Sequence, residues 1–204
     1  MGEMASNGDR LRNVAGAVLT GGASSRMGRD KARLAVGGVP AATRVAECLA
    51  QLCTDVVIVG GDPPSDAPGR RVPDPPGPRC ALRGLVGALD ACEAERVFVV
   101  ATDVPFVRPS LLLALFAWPE ADAVVPRSSH GLQPLVALYR REPVLEVARG
   151  HLEEERLALR HVLDAVETRL FEGEDLARVD DHGFALTNLN TPEDLAQAEA
   201  ALAR

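Results

Sequence analysis

The residues best suited to chemistry stand together in one turn: Leu19-Thr20-Gly21-Gly22-Ala23-Ser24-Ser25-Arg26-Met27-Gly28-Arg29-Asp30-Lys31. Paired glycines allow the backbone to approach an anion closely, with amide N–H groups turned inward. Ser24 and Ser25 add hydroxyl donors, and Arg26 and Lys31 add full positive charge. Two cations beside a carboxylate-lined pocket suit a triphosphate, whose charge must be held and then neutralised during displacement. The turn is not a Walker loop, because Gly28 is followed by Arg29-Asp30, and it lacks the G-x-G-x-x-G of a dinucleotide fold. Taken alone, it also fits a glycine turn with exposed charges. A second chemical group is the carboxylate of Thr102-Asp103-Val104-Pro105. Mg2+ prefers oxygen ligands and takes one or two carboxylates plus phosphates and water. Asp103 suits that role, and a plain turn aspartate is the alternative.

These residues need elements that carry them to one place. Val14 to Thr20 reads as a buried strand ending at Gly21-Gly22. Asp55 to Val59 is a β-branched second strand that stops at Gly60-Gly61, and Arg96 to Ala101 is a third that delivers Asp103. Pro40 opens a helix carrying Val45, Leu49 and Leu52, and the stripe Leu82, Leu85, Val86, Leu89 predicts another over Ala81 to Ala94. Pro109 starts a further helix through Ala117. Ala121 to Val125 and Leu135 to Tyr139 are expected strands, followed by helices around Glu142 to Ala148 and Glu154 to Leu163. The proline-rich stretch from Pro63 to Pro78 is expected to be a surface loop without regular structure. Thr191-Pro192-Glu193-Asp194 is a helix start, with a Thr N-cap, Pro in the first position and acids in the first turn.

Strands alternating with amphipathic helices predict an α/β fold of three layers, Rossmann-like, with a mostly parallel sheet and helices on both faces. Ligands of such sheets gather beyond the carboxyl ends of the strands. That rule selects Gly21 onward, Gly60 onward and Asp103.

The bulk properties narrow the partners. The chain has 204 residues, 47% of them hydrophobic and 3% aromatic. This suits a single domain over 13–204 with a core of Leu, Val and Ala, after a disordered leader over 1–12. The net charge of −7 argues against a nucleic-acid groove or an anionic membrane surface as partner. No apolar stretch reaches the ~20 residues needed to span a bilayer, and no secretion signal is seen. The expected location is cytoplasmic. Cys48, Cys53, Cys80 and Cys92 show no zinc spacing and read as ordinary thiols. His130 reads as a loop residue, and His151, His161 and His182 show no ligand pattern. The run Glu153-Glu154-Glu155-Arg156 reads as a solvated helix start.

The glycine-rich turn resembles the L-x-G-G-x-S-x-R-M-G-x-D-K loop of the molybdenum cofactor guanylyltransferases and their nucleotidyltransferase relatives. Gly21, Gly22, Ser24, Arg26, Met27, Gly28, Asp30 and Lys31 all fall in place. The likeness runs from Val14 to the final helix and implies a nucleotide-diphospho-sugar transferase-like fold. It implies that the Leu19, Thr20 and Gly21 backbone meets the base and ribose, within a nucleotide site that includes Gly22, Ser24 and Gly28. Arg26 and Lys31 hold the phosphates, and Lys31 neutralises charge at the reacting phosphorus. Asp103 matches a D-x-P metal-binding step. Val72-Pro73-Asp74 resembles the segment that places an acid against guanine. Asn190, in a segment resembling N-x-N-T-P-E, either reaches the metal or braces the turn.

The implied reaction is transfer of GMP from GTP to the phosphate of molybdopterin, the molybdenum cofactor, with release of pyrophosphate and Mg2+ as cofactor. A molybdoenzyme or a cofactor chaperone would receive the product. Three departures stand out. Thr20 replaces a usual Ala, and Val59-Gly60-Gly61 lacks an Asn found in some members. Cys80-Ala81-Leu82-Arg83-Gly84-Leu85 replaces G-P-L-A-G-L, so Arg83 is expected to fill part of the nucleotide pocket. Thr20 keeps a small residue; the other two departures leave open CTP as donor, a sugar or alcohol phosphate as acceptor, or a nucleotide-binding protein without catalysis.

Overall fold

The fold is given by a computed structural model that describes residues 10–20, 33–180 and 183–202. Its centre is β1 (Val14–Leu19), six residues without one polar side chain and all buried. A strand with this composition has both faces covered and neighbours on both edges. The neighbours are β4 (Asp55–Val59) and β6 (Arg96–Ala101), each parallel to β1. β5 (Arg70–Val72) continues the sheet beyond β4 in the same direction. On the other side, β9 (Val136–Arg140) pairs antiparallel with β6, and β7 (Ala123–Ser128) pairs antiparallel with β9. β10 (Thr168–Phe171) closes that edge parallel to β7. The order is β10-β7-β9-β6-β1-β4-β5, with the short β8 (Gly131–Leu132) folded back on β7. Only β9 runs against the rest of this row. A separate ribbon, β2 (Ala35–Val36) and β3 (Val39–Pro40), stands apart from it.

Alternate side chains of the strands feed two cores. Val14, Val18, Ile58, Phe98 and Val100 meet α1 (Ala41–Leu52), α3 (Pro109–Ala117) and α6 (Gly173–Val179) on one face. Ala17, Leu19, Val59, Val99 and Tyr139 meet α2 (Ala81–Ala91), α4 (Arg141–Glu153) and α5 (Leu159–Ala165) on the other. The three-layer, mostly parallel arrangement expected from the sequence is therefore present. Close packing explains Gly16: a Cβ there would lie 2.9 Å from Cβ of Leu49 on α1. Helix α7 (Pro192–Leu202) ends the chain. Thr191 caps it by accepting the Asp194 N–H at 3.1 Å, while the Asp194 carboxylate accepts the N–H of Asn190 and of Thr191. This reciprocal arrangement is a capping box with Asp in the place of the usual Glu, at the helix start the sequence predicts.

Two expectations need correction. The stretch from Pro63 to Pro78 is not all loop, because Arg70–Val72 forms β5. These three residues lie between prolines and keep their own N–H groups, and the outer edge of β4 offers a ladder that Gly60 N–H extends to Val72 O at 2.9 Å. The run at Glu153–Arg156 ends a helix rather than starting one. Glu154 is the C-cap of α4, and Glu155 adopts φ 56°. Residues 1–9 of the expected leader lie outside the described residues. At Leu11 the chain is already engaged, with its N–H donating to Leu52 O at 2.8 Å. Among the described residues no helix is long and apolar enough to cross a membrane.

Candidate nucleotide site

The parallel strands end at one level. Leu19, the last residue of β1, is in register with Val59 of β4 and Ala101 of β6, and Val59 is in register with Val72 of β5. Their continuations, Thr102-Asp103, Thr20, Gly60-Gly61 and Pro73-Asp74, therefore emerge along one edge in the order β6, β1, β4, β5. Three inter-strand steps separate the outer two, roughly 14 Å. The two carboxylates at the ends of this row stand too far apart to share one ion. A nucleotide laid along the edge could meet one with its base and the other with its phosphates.

At the β5 end, Asp74 is half-buried and rests on Gly60. A Cβ on Gly60, which has φ +73°, would lie 2.0 Å from Asp74 Oδ1. The other oxygen, Oδ2, pairs with the Arg79 guanidinium at 3.0 Å. Gly61 has φ +58° and lies against Thr20, whose Oγ1 would be 2.5 Å from an added Cβ. The Thr20 hydroxyl donates to Val59 O at 2.9 Å, and Gly60 O is also within its reach. Thr20 thus ties the end of β1 to the glycine turn that seats Asp74. This gives a physical purpose to a hydroxyl where the resembled loop has Ala. Two backbone groups of Leu19 and Thr20 are already used inside the sheet: Leu19 O accepts the Thr102 N–H at 3.1 Å, and Thr20 N–H donates to Val59 O at 3.0 Å.

At the β6 end, Asp103 is half-buried directly after the buried Thr102. Its carbonyl accepts the Leu189 N–H at 2.7 Å, so the segment before α7 is fastened beside it. Leu189 packs with Val36 and Phe106 in a small third core, which Leu195 of α7 and Phe184 also join. The β2–β3 ribbon, the turn after Asp103 and the start of α7 are one packed unit. Asn190 lies next to that contact and is exposed. Among the described residues no three His, Cys, Asp or Glu side chains gather to hold a metal. A single carboxylate fits Mg2+, which takes its other ligands from phosphates and water. It would not hold a zinc-type ion, which needs three or four protein ligands.

The residues expected to hold phosphate, Gly21, Gly22, Ser24, Arg26, Gly28 and Lys31, lie outside the described residues. The last described residue before them, Thr20, stands at the C-terminal edge of β1, between the ends of β4 and β6. Arg83, expected to fill part of the nucleotide pocket, is engaged by the loop that carries Asp74. Its guanidinium turns onto the proline-rich loop, with Nε donating to Pro78 O at 3.0 Å and Nη1 to Pro76 O at 2.5 Å. Sequence reasoning also missed Arg79 and the seat at Gly60. The signal for Arg79 is an opposite charge five residues from Asp74 in the same loop, and for Gly60 a glycine ending the strand next to β5. On the far side of β6, Ala101 N–H donates to Leu135 O at 2.8 Å, and the buried Tyr139 hydroxyl donates to Pro134 O at 2.6 Å. This fixes the Gln133-Pro134-Leu135 segment at the same edge of the sheet.

A sheet of this order, with β6, β1, β4 and β5 parallel and ending along one edge, has the nucleotide-diphospho-sugar transferase-like α/β fold. It superposes with a TM-score of 0.79 on molybdopterin-guanine dinucleotide biosynthesis protein A from Archaeoglobus fulgidus, at 24% identity, covering 93% of this chain and 98% of that one. It superposes with a TM-score of 0.69 on 2-C-methyl-D-erythritol 4-phosphate cytidylyltransferase from Thermus thermophilus, at 17% identity, covering 92% of this chain and 98% of that one. Residues 16–169 match the model of the MobA-like NTP transferase domain. The chain belongs to that family. Among its curated relatives is a probable molybdenum cofactor guanylyltransferase from Chloroflexus aggregans, 34% identical over 93% of this chain and 95% of the relative. Another is the molybdenum cofactor guanylyltransferase of Rhodobacter capsulatus, 34% identical over 93% of this chain and 96% of the relative.

Proposed function

We propose that the chain transfers GMP from GTP to the terminal phosphate of molybdopterin in the cytoplasm, releasing pyrophosphate and forming a guanine dinucleotide cofactor. The observation that carries this reading is the in-register row of strand ends, with Asp74 at the β5 end and Asp103 at the β6 end. The names of the curated relatives, molybdenum cofactor guanylyltransferases, support a guanylyl group as what is transferred and the molybdenum cofactor as what receives it. In this reading the Asp74 carboxylate accepts hydrogen bonds from guanine N1–H and the 2-amino group. Adenine presents an acceptor at N1 and no 2-amino group, so it is refused. Asp103 holds Mg2+, which when bound would neutralise phosphate charge. Arg26 and Lys31 bind the phosphates and oppose the charge that develops on the leaving pyrophosphate. An oxygen of the molybdopterin phosphate forms the new bond to the α-phosphorus as the bond to pyrophosphate breaks. That oxygen is already ionised at neutral pH, so no general base is required. Catalysis rests on positioning and charge neutralisation.

The experiment is a titration of the purified protein with GTP, CTP and ATP, with and without Mg2+, alongside Asp103→Ala. Pyrophosphate release is then measured with molybdopterin present. The reading expects Mg2+-sensitive binding of GTP above the others, and release of pyrophosphate that Asp103→Ala lowers by about 100-fold or more. Preference for CTP would reassign the donor. GTP binding without pyrophosphate release would make the chain a nucleotide-binding protein, and no nucleotide binding would remove the reading.

A further inference from the structure

The loop that carries Asp74 is stiff in most of its length and hinged at one point. Pro73, Pro75, Pro76 and Pro78 fix their own φ angles. Gly77, in their midst, has φ +109°, a conformation that side chains rarely adopt. Three contacts seat this loop. Asp74 lies on Gly60, and Pro75 lies on α2, where a Cβ on Gly87 would be 2.6 Å from Pro75 Cγ. The third contact is Arg83, from the first turn of α2. Its guanidinium donates to the carbonyls of Pro76 and Pro78, on either side of the hinge. It also lies against Gly77 itself, where an added Cβ would be 2.7 Å from Arg83 Cζ. One fork-shaped donor group therefore spans the glycine of the loop, a geometry that a single ammonium cannot reproduce.

We infer that Arg83 is a positioning residue for nucleobase selection: it clamps the 75–79 loop across Gly77 and so holds the Asp74 carboxylate in the orientation that reads the base. This rests on the proposed role of Asp74 and adds a residue that does not touch the nucleotide. Without the clamp the loop swings at Gly77, which draws Arg79 away from Asp74 Oδ2 and leaves the carboxylate charged but seated on Gly60 alone. Asp103 lies three strands away, so the chemical step is largely insulated. The loss should fall on KM and on base choice rather than on kcat.

The test compares GTP with ITP, which lacks only the 2-amino group, in wild-type protein and in Arg83→Ala, Arg83→Lys, Gly77→Ala and Asp74→Asn. A well-aimed carboxylate should favour GTP over ITP by about 10–100-fold in kcat/KM. Arg83→Ala should reduce that ratio by roughly tenfold, mainly through KM. Arg83→Lys, which can reach one carbonyl, should recover part of it. Gly77→Ala, whose methyl takes the place of the guanidinium, should behave like Arg83→Ala. An unchanged GTP/ITP ratio in Arg83→Ala, with Asp74→Asn abolishing the preference, overturns the clamp and leaves the role of Asp74 standing. An unchanged ratio in Asp74→Asn overturns both. A fall in kcat with the ratio preserved marks a structural residue only and also overturns the inference.

Discussion

One glycine and three thiols are the residues whose surroundings determine most. Gly60 leaves no room for a side chain, since its Cβ would overlap the Asp74 carboxylate at 2.0 Å, and its φ of +73° is strained for any other residue. Gly60→Ala is therefore expected to cost about 1–3 kcal/mol of stability and to weaken GTP binding while leaving the fold intact. Chemical denaturation and a GTP titration on the same sample would separate the two effects. The thiols of Cys48, Cys53 and Cys92 are buried, and burial pushes each from 9.0 up to about 12. The thiolate is the reactive form, so these three should be inert in the folded state. Cys80, half-buried at the N-cap of α2, is the accessible one. A thiol reagent near neutral pH should label one equivalent quickly and the other three only after unfolding. Rapid labelling of more than one thiol would contradict the packing around α1 and α2.

At the level of elements, what could be read from the sequence depended on length and on who supplies the partner. β1, β4 and β6 are long, apolar and β-branched, and each was legible with its boundaries because burial on both faces leaves no other conformation for such a run. The helices with strong stripes, α1 and α2, were legible from the period of those stripes, and α3 from Pro109 at its start. The start of α7 after Thr191 was written in its capping residues. β5 was not legible, because three residues among prolines acquire their conformation only from the exposed edge of β4. β10 and α6 were missed because their packing partners, β7 and α3, are distant in sequence. At the site, Asp74 and Asp103 could be named from motif, but the contacts made by Arg79, Arg83 and Gly60 depend on the folded path of the proline loop. Two element-scale outcomes follow. Thr191→Ala removes the N-cap of α7 and should cost about 1 kcal/mol, or roughly 2–4 °C in Tm by calorimetry. Gly16→Ala wedges a methyl between β1 and Leu49 of α1, and about 1–3 kcal/mol of lost stability is expected in a urea titration.

For the molecule as a whole, the raised thiols make stability depend on pH in one direction. The folded chain keeps three protons that the unfolded chain releases around 9.0. Their stabilising contribution is complete below that value and is lost as pH rises toward about 12, since the unfolded state there binds fewer protons. Tyr139, fully buried, is shifted upward as well and acts in the same sense. The urea midpoint should hold steady at neutral pH and fall through the alkaline range, with Cys92→Ala making the fall shallower. The position of β1 carries a different consequence, one of timing. It is the first of the described strands to be made and the one enclosed by β4 and β6, with Leu19 in register with both Val59 and Ala101. At about 5–20 residues per second, roughly eighty residues must be synthesised after Leu19 before its second neighbour exists, a delay on the order of several seconds. For that interval the segment Val14–Leu19, apolar throughout, has an open edge on the ribosome. Among the described strands of the sheet, the one that organises it is thus the one that waits longest for a hydrogen-bonded neighbour.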